Sequence, residues 1–173
     1  MQPLRRRAAL VGAALISLAL APSSFAANAA DCPNDGVVRF GVEPYDMSAK
    51  LVPIYDHIAK VLGDKLGCEV KVYVTTTYNA EIEAMRSGKL EVGEFGPLGY
   101  VLAHQVAKAE AVAAFGNKEG KPDSYWASIV TWPGSGIKTV AEVRGHSFAF
   151  SDPASTSGHL FPAYGLRKAV ATG

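Results

Sequence analysis

Hydrophobic and polar positions along residues 37–115 follow two alternating spacings, one typical of strands and one typical of helices. Val37–Val42 is a short, mostly apolar run, and the apolar residues after it recur every three or four positions until Gly67. This spacing predicts a strand followed by a helix with one apolar face, ended by glycine. The same order then repeats, which predicts further strands at 69–75, 90–95 and 111–115 and further helices at 79–88 and 99–109.

Strands that alternate with helices predict an α/β fold with a mainly parallel sheet, because each parallel connection needs a crossover that covers a face of the sheet. In such sheets, ligands bind outside the carboxyl ends of the strands. The segments predicted to lie at that edge are rich in hydroxyl groups, Gly and Pro, and they are 43–48, 75–79 and 94–98. The sequence therefore places function at this edge.

A second, smaller set of elements follows the loop at 117–124. Alternation predicts strands at 125–132 and 146–150, and Thr139 with Glu142 has the spacing of a capping box that opens a helix. A last helix is predicted after Ser157. These elements are too few to close a second sheet, so we expect the chain to be a truncated form of a longer protein.

The first 29 residues have the pattern of a secretory signal peptide. Three arginines at 5–7 precede an apolar run at 8–21, and Ala27-Asn28-Ala29 fits a small-x-small cleavage site. The apolar run is too short to span a bilayer. We therefore predict export to the periplasm and removal of this peptide.

The charge balance argues against a nucleic-acid partner. The chain has 17 Lys and Arg against 16 Asp and Glu, and residues 1–29 hold three Arg and no acid, so the remainder carries a formal charge of about −2. Without a basic block, any anion must be held by local donors and not by a broad positive field. Neither a metal nor a cofactor is predicted, since the four histidines lack ligand spacing; they are His57, His104, His146 and His159.

The two cysteines each stand just before a predicted strand. Cys32 precedes Val37–Val42 and Cys68 precedes 69–75, so parallel pairing of these strands would bring the two sulfur atoms to one edge. Two cysteines in an exported protein are most often bridged. We predict a Cys32–Cys68 disulfide, with free thiols or an intermolecular bridge as the alternative.

Three consecutive hydroxyl side chains, Ser155, Thr156 and Ser157, stand between a predicted strand and a predicted helix, and Gly158 follows them. The first backbone N–H groups of a helix have no internal partners and lie at the positive end of its dipole, so neighbouring hydroxyls can join them in holding an oxyanion. Plain helix capping is the alternative, because Ser and Thr are common N-caps.

Motifs that would carry chemistry are absent or misplaced, so no catalytic residue is predicted. The glycines at 134–139 have the wrong spacing for a phosphate loop, and no Gly-x-Ser-x-Gly elbow presents Ser157 as a nucleophile. His159 lies two residues further on, which places it on a different helix face. Glu43 and Glu94 would form an acid/base pair only if they met at the strand ends; solvated or capping carboxylates are the alternative.

Four short motifs together resemble the phosphate, phosphite and phosphonate substrate-binding proteins of ABC importers. They are Thr77-Tyr78, Phe95-Gly96, Ser124-Tyr125-Trp126 and Ser151-Asp-Pro-Ala-Ser-Thr-Ser-Gly158. The resemblance covers about residues 36–170, the first half of such a protein. It implies a periplasmic-binding-protein-like, two-lobed clamp of type 2, with a nearly complete first lobe at 30–117 and a truncated second lobe at 118–173.

The resemblance also implies a site and partners. The oxyanion ligands would be Tyr78, Tyr125, Ser155, Thr156 and Ser157, while the side chains that would line the pocket are Glu94, Phe95 and His159. The protein would be a monomer that passes its anion to an ABC permease in the inner membrane. An exported enzyme on the same scaffold, acting on a phosphorylated or sulfur-containing molecule, is the alternative, and the signal peptide argues against a transcription-factor effector domain.

Two departures from the family pattern affect the predicted site. The family's further polar contacts come from positions after residue 173, and Glu94 stands where relatives often have an aromatic residue. A carboxylate there would repel an oxyanion unless it lies outside the pocket, is protonated, or accepts a hydrogen bond from a protonated ligand. The aromatic side chains near the donors favour phosphite or a small alkylphosphonate over phosphate, whose fourth oxygen would lose hydrogen bonds to water.

Overall fold

The computed structural model describes residues 32–46 and 49–171, so the predicted signal peptide lies outside the described residues. The regular elements in chain order are β1 (Val37–Val42), α1 (Leu51–Leu66), β2 (Glu69–Val74), α2 (Tyr78–Arg86), β3 (Val92–Glu94), α3 (Pro97–Ala107) and α4 (Phe161–Ala171). A π-helical segment, Thr156–Leu160, leads into α4, and short 3-10 turns lie at Asn34–Gly36 and Ala141–Val143.

The three strands form one parallel sheet in the order β2-β1-β3. β1 pairs with β2 from Val37↔Glu69 to Val42↔Val74 and with β3 from Phe40↔Val92 to Val42↔Glu94. The α/β class predicted from the sequence is confirmed, and so is the predicted end of the first helix at Gly67, whereas the second helix, predicted at 79–88, is Tyr78–Arg86. Gly67 ends α1 with a φ of 69°, and the Thr77 side chain caps α2 by accepting from the Ala80 N–H.

The two faces of the sheet are packed differently. On one face, Phe40 and Val42 of β1 pack against Leu51 and Tyr55 of α1, with the Phe40 and Tyr55 rings edge to face at 5.9 Å. On the other face, Gly41 of β1 and its register partner on β3, Gly93, leave a shallow slot under α2. This slot receives a side chain of the candidate site.

The strands predicted at 111–115, 125–132 and 146–150 are wrong: within the described part of the chain these segments form no strand. Most of their large apolar side chains are exposed, with Val112, Trp126 and Trp132 at 92%, 88% and 85%, while Ile129 and Phe148 are half-buried. A strand needs a neighbour for its backbone hydrogen bonds, and the described residues supply only an isolated bridge between Gly116 and Pro122. Alternation in a sequence shows which segments suit a sheet but not whether a partner is present.

Two smaller predictions have a clear outcome. The Glu142 carboxylate accepts from the Thr139 N–H at 2.9 Å, as in a capping box, but only a 3-10 turn follows and not a helix. Cys32 and Cys68 form a disulfide with their Cα atoms 5.8 Å apart. Among the helices of residues 32–46 and 49–171, none is long and apolar enough to cross a membrane.

Candidate functional site

The candidate site lies where the carboxyl edge of the sheet meets residues 152–158. The first turns of α2 and α3 are tied to this loop by two hydrogen bonds from backbone to side chain. The Tyr78 N–H donates to Asp152 Oδ2 at 3.1 Å, and the Leu98 N–H donates to Thr156 Oγ1 at 2.8 Å. Residues far apart in the chain are thereby brought together at two helix N-termini.

The three consecutive hydroxyl residues have different environments. Ser155 Oγ accepts from the Gly158 N–H at 3.0 Å and caps the π-helical segment, so the capping alternative holds for Ser155. Thr156 and Ser155 are buried, whereas Ser157 is half-buried. Gly158 is required by close packing, since a Cβ atom there would lie 2.4 Å from Ser151 Cβ.

A cavity of about 730 Å³ opens beside Thr156 and Ser157. Tyr125, predicted as an oxyanion ligand from the family resemblance, lines it together with Trp126, Pro97 of α3 and Phe161 of α4. The structure therefore brings three of the five predicted ligands to one cavity. Volumes of this size are typical of small-molecule sites.

Tyr78 and Ser155 do not border this cavity and lie buried next to each other. The Tyr78 side chain is 8% exposed, and burial raises the pKa of its phenol to about 12, further raised by nearby Glu43 and opposed by the Ser155 hydroxyl. Both side chains are neutral donors at physiological pH, which suits recognition of an anion without a cation.

Phe95 and His159, predicted to line the pocket, also lie apart from this cavity. Phe95 packs over Gly93, where a Cβ atom would lie 2.6 Å from Phe95 Cε2. The His159 ring packs against Phe150 with centroids 4.8 Å apart and the ring planes tilted by 38°, and its Nδ1 is buried without a hydrogen-bond partner.

A buried carboxyl group under α2 was missed by the sequence analysis. Glu81 is 0% exposed and occupies the slot between Gly41 and Gly93; added Cβ atoms there would lie 2.9 and 3.0 Å from Glu81 Oε1. Burial, with Glu43 and Glu94 nearby, raises the pKa of Glu81 to about 9; the Glu94 N–H and the Thr75 hydroxyl act in the opposite direction but do not reach hydrogen-bond geometry. Glu81 is therefore protonated at neutral pH.

Glu43, at the end of β1, contacts the N-terminus of α3. Its Oε2 accepts from the Gly96 N–H at 3.0 Å, while its Oε1 is buried and without a partner. Burial raises the pKa of Glu43 to about 7, Glu94 and Asp152 raise it further, and the Gly96 N–H opposes the shift. The charge of Glu94 thus acts on Glu43, while their pairing as acid and base stays a prediction.

Glu94 lies on the face of the sheet that α1 covers. This position follows from the pairing of Glu94 with Val42, whose side chain packs against α1. The Glu94 carboxyl group interacts with the Tyr55 hydroxyl, which lies 3.1 Å from the Tyr45 hydroxyl. Burial raises the pKa of Glu94 and the contact with Tyr55 opposes this. Like Phe95, Glu94 is not part of the lining of the cavity beside Thr156.

Comparison with known proteins places this geometry in a family context. Residues 40–172 match the family described as ABC transporter, phosphonate, periplasmic substrate-binding protein. The chain is 30% identical over 125 residues to the phosphate-import protein PhnD of Mycolicibacterium smegmatis and 27% identical over 131 residues to the phosphonates-binding periplasmic protein of Escherichia coli K12. These matches cover 71% and 73% of this chain but only 39% and 38% of the relatives, so the chain spans about two fifths of their length.

Solved structures give the same picture. A binding protein component of an ABC phosphonate transporter from Pseudomonas aeruginosa superposes with a TM-score of 0.67 at 26% identity, over 74% of this chain and 43% of that one. PhnD1 from Prochlorococcus marinus, in complex with methylphosphonate, superposes with a TM-score of 0.57 at 24% identity, over 78% of this chain and 51% of that one. The second likeness is one of fold alone.

Proposed function

Because this chain belongs to the family of phosphonate periplasmic substrate-binding proteins of ABC transporters, we propose that it captures a small phosphorus oxyanion in the periplasm and delivers it to a membrane permease. The protein performs no chemistry on the anion in this proposal. Its lobes correspond to residues 30–117 and 118–173, with the anion held between them.

The observation that carries this proposal is the cavity beside Thr156 and Ser157. Its side-chain donors are hydroxyl groups, including the Tyr125 phenol, and the Trp126 indole N–H, and Asp123 also lines it. Thr156 accepts a hydrogen bond from the first turn of α3. A hydroxyl that accepts from a helix N-terminus keeps its own proton for donation to a ligand oxygen. Neutral donors of this kind recognise an anion by shape and hydrogen bonding.

The proposed order of ligands places phosphite or a small alkylphosphonate ahead of phosphate. Tyr125 and Trp126 give the cavity an aromatic wall. A P–H or P–CH₃ group loses no hydrogen bonds when it packs against this wall. A fourth phosphate oxygen against the same wall would lose hydrogen bonds to water, at a cost on the order of 1 to 3 kcal/mol. The names of the relatives include both phosphate and phosphonate binders, so the family supports either ligand.

Calorimetric titration of the purified protein with phosphate, phosphite, methylphosphonate and sulfate tests this function. We expect phosphite or methylphosphonate to bind at least fivefold more tightly than phosphate, and Ser157→Ala and Tyr125→Phe to weaken every bound anion. Tyr73→Phe is the matched control, because Tyr73 is an exposed tyrosine on β2. Anion binding that is unchanged in both site variants, or turnover of a chromogenic phosphate ester, would contradict the proposal.

A further inference from the structure

The N-terminus of α3 is occupied by two side chains of the protein itself. The Gly96 N–H donates to Glu43 Oε2 and the Leu98 N–H donates to Thr156 Oγ1, while Pro97 between them has no N–H. A helix N-terminus favours negative charge. Here a carboxyl group and a cavity-lining hydroxyl group share that position.

Glu43 is built into this position by the glycines around it. It is 3% exposed, and a Cβ atom at position 99 would lie 2.3 Å from Glu43 Oε1, so Gly99 leaves the space that this oxygen fills. Oε1 has no hydrogen-bond partner, although it is aimed at the first turn of α3. A buried carboxyl oxygen without a partner is costly as an anion and is stabilised by a proton.

The titratable groups that face Glu43 are three carboxyl groups and a phenol, none of which can carry a positive charge. Glu94 comes from β3, Asp152 from the loop before the hydroxyl residues, and Glu81 and Tyr78 from α2. No Lys, Arg or His contributes to the charge around Glu43 in the described part of the chain. An anion that binds at Thr156 therefore adds negative charge to a region that has no cation to balance it.

Thr156 lies close enough to Glu43 for this added charge to be felt. A Cβ atom at position 96 would lie 3.5 Å from Glu43 Oε2 and 3.7 Å from Thr156 Oγ1, so these two oxygens are at most about 7 Å apart. An anion oxygen that hydrogen-bonds to Thr156 Oγ1 lies about 2.7 Å further on, so its charge is within about 10 Å of Glu43 Oε2. At this distance inside a protein, a new negative charge favours the protonated form of a carboxyl group.

We propose that Glu43 couples anion binding to proton uptake, by holding a proton whenever an oxyanion is bound at the Thr156 hydroxyl. This inference rests on the proposed function. The coupling lets a site without Lys or Arg accept a dianion, since the arriving charge is partly neutralised at Glu43. Linkage then requires that anion affinity fall as the pH rises above neutrality.

Titration calorimetry with phosphite at pH 8, in buffers of different ionisation enthalpy, measures the number of protons taken up. Phosphite is already a dianion at this pH, so its own titration contributes little. We expect the wild type to take up roughly one proton per anion and its affinity to fall by up to about tenfold per pH unit. Glu43→Gln, which keeps the shape and removes the charge, should take up at least about half a proton less and bind phosphite with a flatter pH dependence.

Glu83→Gln is the matched control, because Glu83 is an exposed glutamate of α2, ion-paired with Arg86. It should keep the proton uptake of the wild type. Phosphite binding without proton uptake in the wild type, or full uptake in Glu43→Gln, would overturn the coupling and leave the proposed function intact. If none of phosphate, phosphite, methylphosphonate and sulfate binds the wild type, the proposed function fails and the coupling fails with it.

Discussion

Replacing Glu81 with glutamine should change how the stability of the protein depends on pH. Glu81 is fully buried in the slot between Gly41 and Gly93, and burial raises its pKa to about 9. In the unfolded chain the same carboxyl group titrates near its ordinary value of about 4.3. Folding at neutral pH therefore requires that Glu81 bind a proton.

The direction and size of the effect follow from that difference. When folding raises the pKa of a carboxyl group, its protonation stabilises the folded state. This contribution is fully present at pH values below the pKa of the unfolded chain and is lost as the pH rises toward the pKa of the folded protein. One proton bound on folding costs about 1.4 kcal/mol per pH unit. Between pH 6 and pH 8, Glu81 alone should lower the free energy of unfolding by about 2 to 3 kcal/mol, and Glu43 adds to this loss up to about pH 7.

Urea denaturation followed by circular dichroism at pH 6, 7 and 8, at constant ionic strength, measures this slope. We expect Glu81→Gln to lose about 2 to 3 kcal/mol less than the wild type across this range. Glu83→Gln, two residues along the same helix, should follow the wild type, because Glu83 is exposed and its pKa is lowered by Arg86. Equal slopes for the wild type and Glu81→Gln would show that Glu81 is not protonated on folding.

Two further predictions concern packing and covalent structure. Gly93→Ala should lower the free energy of unfolding by about 1 to 3 kcal/mol, because the new methyl group would meet Phe95 at 2.6 Å and Glu81 at 3.0 Å. Gly165→Ala in α4 is the control, since a Cβ atom there has nothing within 4 Å. An unchanged free energy of unfolding in Gly93→Ala would contradict the close packing of Gly93. Thiol labelling of the denatured, unreduced protein should find no reactive thiol, and two reactive thiols per chain would contradict the disulfide. In urea denaturation, replacing Cys32 and Cys68 by serine should lower the free energy of unfolding by about 3 to 4 kcal/mol.

The order of strands and helices in residues 37–107 could be predicted because each element there is also locally consistent. Gly67 ends α1 and Thr77 caps α2 through contacts within four residues, and such signals are written in the sequence. The strand predicted at 125–132 has the same kind of pattern but finds no partner among the described residues. Pairing over long distances is not encoded in one segment.

The site was predictable in its residue types and less so in its geometry. Thr156 caps α3 by accepting a hydrogen bond from the Leu98 N–H, 58 residues away in the chain, and it also lines the cavity. The sequence around Thr156 does not indicate this distant contact. Glu81 was missed because its charge suggested an exposed position. Glu81 lies three residues after Tyr78, one before Ile82 and four before Met85, and this spacing places it on the apolar face of α2. That spacing was the signal in the sequence from which its burial could have been predicted.

The glycine slot under α2 has a consequence for how this sequence can diverge. Gly41, Gly93 and Glu81 occupy one continuous volume, contributed by two strands and a helix. A larger residue at either glycine would require a smaller one at position 81 and also a shift of the nearer neighbour, which is Leu90 for Gly41 and Phe95 for Gly93, so these positions are constrained to evolve as a set. Related chains that carry a side chain in the slot should therefore have lost the glutamate, and with it the proton that this protein binds when it folds.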